Sequence, residues 1–198
     1  MMKKYAVLFF GIFFLIGLVA CGNGQSSQIN QIRPMELTSD QQELLELITN
    51  TNREIVLFDV IAQDFESVEI WIEKYSYGVL VENMGGLRMF AGNDASFTDM
   101  SGTMVIFIDR DDWNTTRWTL QFNGGSIRHI TQTNDDNPPA GRGAGGLSIP
   151  AYITEGEAII IYSDIRTHGS LSTADHLIHP EELPQYPYVY IIKAMFSR

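Results

Sequence analysis

The chain has 198 residues, 44% of them hydrophobic and 19% charged, with one cysteine and a formal net charge of −11. These values exclude a disordered tail, a disulfide scaffold and a collagen-like fibre. They also exclude nucleic acid as a partner, because 13 bases scattered among 24 acids cannot release a useful number of counterions from phosphate. A chain of this length fits one domain with a tether, able to bury a core without metal or disulfide help.

Lys3 and Lys4 precede an apolar run from Tyr5 to Ala20. This is the layout of an export signal, and with Gly11 and Gly17 inside it the run is too short for a membrane span of ~20 residues. Leu18-Val19-Ala20-Cys21 resembles the lipobox of bacterial lipoproteins. The resemblance implies that 1–20 is a signal peptide and that Cys21 becomes a lipidated first residue. It also implies that the protein's membrane partner is reached through that lipid, since two or more acyl chains anchor stably where one would dwell only briefly. The processed chain then carries 11 bases and 24 acids, a net of −13, and no thiol. Export without a disulfide points to the extracytoplasmic face of a Gram-positive-type host.

From Gly22 to Pro34 the composition is polar, with a single charge at Arg33, and reads as a flexible tether. The expected layout is therefore a signal over 1–20, a lipidated cysteine and tether over 21–35 and one domain over 36–198. Thr38-Ser39-Asp40-Gln41 has the form of a capping box, and Leu44, Leu45, Leu47 and Ile48 make one apolar stripe, predicting a packing helix that ends at Asn50 and Asn52.

Beyond that helix the chain reads as strands. Val68, Ile70 and Ile72 alternate with Glu69, Trp71 and Glu73, and Ser76-Tyr77-Gly78 supplies a hairpin turn into Val79–Asn83. The Ile70-Trp71-Ile72-Glu73-Lys74-Tyr75 strand is similar to strands of small lipoproteins of monoderm bacteria. Further strands are expected over 54–62, 87–91, 103–109, 117–122, 126–132, 158–163 and 188–196. Short strands around turns, after one helix, predict a mainly β fold, an antiparallel β-sandwich or jelly roll with an N-terminal amphipathic helix. Long loops are expected over 134–146 and 168–187, which makes the C-terminal half the place to seek a binding site.

Candidate functional residues fall mainly on loops. Asp109, Asp111 and Asp112 are hard oxygen ligands of the kind calcium takes, although Trp113 breaks the EF-hand spacing; their plainer reading is a solvated turn balanced by Arg110. His176 and His179, with His168 upstream, have a spacing that zinc can use, but Pro180 pushes His179 out of helical geometry. Trp113, Arg142, His168 and Tyr186 are the candidate ligand contacts. Trp113 lies in a turn where it could stack on a sugar or peptide, whereas Trp118 shares a strand face with Leu120 and Phe122 and belongs to the core. No nucleophile elbow, phosphate loop or residual cysteine supports catalysis. The expectation is a non-catalytic, cofactor-free binding module for a glycan, a peptide or an envelope partner. Its alternatives are an accessory glycan-active enzyme using loop carboxylates and a structural subunit of an envelope complex.

Overall fold

In a computed structural model, the structure describes residues 29–50, 52–91, 99–111, 115–132, 139, 141–169 and 177–198. Cys21, Asp112, Trp113 and His176 lie outside the described residues. Two antiparallel sheets face each other. The first has six strands in the order β7-β6-β5-β2-β1-β9, with β1 Gln31–Pro34, β2 Arg53–Ile61, β5 Gly102–Arg110, β6 Thr115–Phe122, β7 Gly125–Gln132 and β9 Ala151–Tyr152. The second has five, β4-β3-β11-β10-β8, with β3 Ser67–Ser76, β4 Val79–Phe90, β8 Gly141–Gly146, β10 Ile159–Thr167 and β11 Tyr188–Ser197. The fold is the mainly β antiparallel sandwich that the alternation predicts.

The core lies between the sheets. Phe58, Met104, Ile106, Trp118 and Leu120 from the first meet Ile70, Ile72, Tyr162, Tyr190 and Ile192 from the second, all fully buried. Each such side chain contributes about 1.5–3 kcal/mol of transfer free energy on burial. Trp118 is in this core as its strand face requires, with its ring 5.6 Å from that of Tyr190 and 6.4 Å from that of Tyr162.

Two tight turns set the hairpin registers. Tyr77 and Gly78 have φ of 46° and 83°, and Asn123 and Gly124 have φ of 43° and 83°. Two successive positive φ values make the type I′ turn, whose twist matches that of the flanking strands.

The structure corrects three expectations about the strands. Residues 31–34 are not tether but strand β1, paired with β2 and β9, because Ile32 finds a fully buried place in the core. The segments 79–83 and 87–91 are one bent strand: Gly85 takes a φ of 83°, the register with β3 shifts nearby, and β4 continues. Gly141 to Gly146, inside an expected loop, is an edge strand on β10. Small residues there bring the chains close, since a Cβ on Gly141 would fall 2.2 Å from the Gly169 carbonyl oxygen.

Helix α1, Ser39–Ile48, carries the expected capping box, with Thr38 N donating to Gln41 Oε1 at 2.9 Å and Gln41 N to Thr38 Oγ1 at 3.3 Å. It is not a packing helix: none of its residues is buried, and Leu47 is 77% exposed. The inner faces of the sheets already supply a closed core, so the helix is left as the connection from β1 to β2. The second expected loop is partly a packed cover. Ile178 and Leu183, the latter in a 3-10 turn over Pro180–Gln185, bury themselves with Ile165, Val189 and Ile191 on the outer face of the five-stranded sheet.

Candidate functional site

Strand alternation that is apolar through the middle of the sandwich turns charged at one end. In β2 the inward series Phe58, Val56 ends on Glu54; in β5 Met104, Ile106, Ile108 ends on Arg110; in β6 Phe122, Leu120, Trp118 ends on Thr116. The five-stranded sheet does the same, with Tyr162 followed in β10 by Asp164 and Arg166, and Ala144 preceded in β8 by Arg142. Period-2 spacing keeps these residues on the core side, so three arginines and two carboxylates meet between the sheets.

Asp164 is fully buried at the centre. Its Oδ2 accepts from Arg142 Nε at 2.9 Å and from Arg110 Nη2 at 3.4 Å, and its Oδ1 lies 3.7 Å from Arg166 Nε. Glu54 Oε2 accepts from Arg110 Nη2 at 2.9 Å and from Arg142 Nη2 at 3.4 Å. Arg166 donates to Thr116 Oγ1 at 2.6 Å and lies over the Tyr190 ring at 5.0 Å. Burial opposes the Arg142 charge, but Asp164 first, then Tyr162 and Glu54, outweigh it and raise the guanidinium further above its ordinary value. Burial, with Asp164 and Glu54 adding to it, pushes the Tyr162 phenol well up, so it stays neutral.

Above this cluster opens a cleft of about 370 Å³, lined by Arg110, Arg142, Glu54, Arg53 and, from the end of α1, Thr49 and Asn50. Pockets for small ligands begin at roughly this volume, ~300 Å³. Among the described residues three interior guanidinium groups face two carboxylates, a local surplus of one positive charge in a chain whose net charge is −11. Such a site favours an anion, and Arg offers forked donors that match a carboxylate or phosphate.

Among the described sequence candidates, Arg142 is the one that the structure places in the cleft wall. Asp109 and Asp111 stand at the same end but are held by arginines. Arg53 Nε lies 3.3 Å from Asp109, and Arg117 grips Asp111 through both terminal nitrogens and reaches Asp109 at 3.7 Å. A calcium ion would have to displace two guanidinium groups there, and among the described residues no three His, Cys, Asp or Glu side chains gather. His168 is exposed just beyond β10, two residues after Arg166. Tyr186 is elsewhere: it packs against Ile165, Leu183 and Ile191 on the outer face, and its carbonyl accepts from Tyr77 N at 3.0 Å. Of the described candidates, Arg142 and Tyr186 therefore lie on opposite faces of the five-stranded sheet and do not share one surface. His179 begins the 3-10 turn, its amide donating to Glu182 Oε2 at 2.8 Å. Sequence reasoning missed Glu54, Asp164 and Arg166, although Tyr162, Asp164 and Arg166 share the inward parity of a buried strand.

Residues 31–196 match the YgaN domain family. The chain belongs to that family. The matched span opens on the first residue of β1 and closes within β11, so the YgaN domain comprises both sheets, the arginine cluster and the cleft. No curated protein and no solved structure matches the chain.

Proposed function

We propose that this protein is a lipid-anchored extracytoplasmic binding module whose cleft holds an anionic group of an envelope glycan or peptide, without catalysis. The observation that carries the reading is the convergence of Arg110, Arg142 and Arg166 between the sheets with two carboxylates to balance them, under a cleft of about 370 Å³. That volume suits a sugar acid or a peptide terminus. The Leu18-Val19-Ala20-Cys21 signature supports the anchor, since the residues from Cys21 to the start of β1 are few and polar and would hold the domain close to the membrane.

Two measurements test the two halves of this reading. Metabolic labelling with a fatty-acid analogue should mark the wild type and not Cys21→Ala; equal labelling of both removes the anchor. Titration of the full chain with glucuronate, with an acetylated dipeptide bearing a free carboxylate and with glucose should shift the Arg110 and Arg142 side-chain N–H resonances only for the two acids. Reducing-sugar release from an envelope glycan would instead establish the enzyme.

A further inference from the structure

Resting on the reading of the cleft as an anion site, we infer that Glu54 is a built-in stand-in for the ligand, and that the group it stands in for is a carboxylate. Of the two acids in the cluster, Asp164 is inaccessible, whereas the Glu54 side chain is 32% exposed and forms part of the cleft wall. The two arginines that line the cleft reach Glu54 through the same oxygen, Oε2. Both are also tied to Asp164 behind it, so they stay in place whether or not Glu54 does.

Arg110 carries the second independent observation. It is 8% exposed, and its Nε is buried with no hydrogen-bond partner among the described residues. The Glu54 carboxylate touches this guanidinium through Nη2 alone and leaves Nε, on the same edge, without a partner among the described residues. An unpaired buried donor costs about 1–3 kcal/mol, and a carboxylate entering from the cleft with both oxygens free to approach can recover part of that.

Exchange of one carboxylate for another keeps the charge of the cluster constant. Among the described residues the three guanidinium groups, Asp164 and the incoming acid leave the same surplus of one, and Glu54 can turn outward toward Arg53, whose side chain is 53% exposed at the rim. A dianionic phosphate in the same place would remove the surplus altogether, which makes phosphate the informative competitor. The arrangement makes Glu54 a tethered competitor. It lowers affinity, excludes neutral ligands that cannot displace it, and protects the arginines from remaining unpaired in the empty domain.

The test compares glucuronate, its methyl ester and inorganic phosphate on the full-length wild type, Glu54→Gln and Glu54→Asp, by calorimetry and by thermal midpoint. Glu54→Gln should bind glucuronate about tenfold more tightly than the wild type, the size of one lost like-charge contact, while the ester binds neither. Its melting midpoint should fall without ligand and recover with glucuronate. Glu54→Asp, which keeps the charge but withdraws it by one methylene, should bind a few-fold more tightly and decides the matter if Glu54→Gln does not fold. Equal or weaker glucuronate binding by the folded variants overturns the stand-in role while leaving the cleft as an anion site. Tighter phosphate than glucuronate in Glu54→Gln overturns the carboxylate assignment, and no binding of either anion by any form overturns the cleft reading itself.

Discussion

Two clusters of ionised side chains stand on opposite faces of the five-stranded sheet, and they differ in what they leave unfinished. On the outer face Glu73 accepts from Trp71 Nε1 at 2.8 Å through one oxygen, and from Tyr75 Oη at 2.6 Å and Lys193 Nζ at 2.7 Å through the other. One cation meets one anion and both carboxylate oxygens are engaged. On the inner face, among the described residues, three arginines meet two acids, one donor of Arg110 stays unpaired, and a cleft opens beside them. A closed, neutral network needs nothing further and holds strands β3 and β11 in register. The inner one keeps a partly exposed edge in the cleft wall, and on the proposed reading an added anion completes it.

Substitution at the centre of each cluster is the sharpest way to break that contrast. Asp164→Asn leaves three guanidinium groups around one partly exposed acid. Removing one partner of a buried ionic group costs about 3–5 kcal/mol, which chemical denaturation would register as a fall in the urea midpoint with little change in slope. Millimolar glucuronate or phosphate should return part of the loss. A cost below about 1 kcal/mol would mean that the inner cluster is solvated throughout and is not the buried anion trap described above.

Glu73→Gln should cost less, about 1–3 kcal/mol, because Gln still accepts from Trp71 or Tyr75 and Lys193 can turn to water. No anion should rescue it, since the outer network offers no cationic surplus. The same residue supplies a pH signature. Burial acts to raise the Glu73 carboxyl, but hydrogen bonds from Lys193, Trp71 and Tyr75 and the Lys193 charge together outweigh it and hold the carboxyl below its ordinary 4.5. A depressed carboxyl stabilises the fold above 4.5 and loses that contribution as pH falls through the folded-state value. The stability gap between wild type and Glu73→Gln should therefore be full at neutral pH and close on acidification below 4.5. Lys193, raised above its ordinary 10.5 against burial by Glu73, sets the alkaline limit of the same plateau. A gap that is flat from pH 7 to pH 3 would show that the network does not couple to folding.

The contrast also explains which parts of the molecule were legible in the sequence. Strands β3 and β6 announce themselves by alternation and β5 by its unbroken apolar run from Met104 to Ile108, and β5, β6 and β7 lie close to their expected bounds. Strand β1 escaped because Gln31, Arg33 and Pro34 hide one buried Ile32, and β8 because glycines chosen for close approach look like a loop. The capping box gave the start of α1 correctly, but no local signal tells an exposed stripe from a packed one; that depends on whether the sheets have already closed. The site was harder still. Arg110 looked like the counter-charge of its neighbours Asp109 and Asp111, yet the strand turns it inward, and its partners Glu54 and Asp164 lie 56 and 54 positions away. Charges on the buried parity of otherwise apolar strands were the available signal.

Arg53 at the cleft rim gives the smallest effect and the finest discrimination. Its pair with Asp109 is half-exposed, and pairs of that kind contribute about 0–1 kcal/mol, so Arg53→Ala should leave the melting midpoint nearly unchanged. Binding responds differently if Arg53 receives Glu54 when a ligand carboxylate displaces it. Loss of that landing place should weaken glucuronate a few-fold in the wild-type background and leave it unchanged in Glu54→Gln, where no charge has to move. A double-mutant cycle on the affinities therefore reads the coupling between the two residues. Equal weakening in both backgrounds would instead make Arg53 a direct contact of the ligand, and would place the bound carboxylate nearer the rim than the buried Arg110 fork.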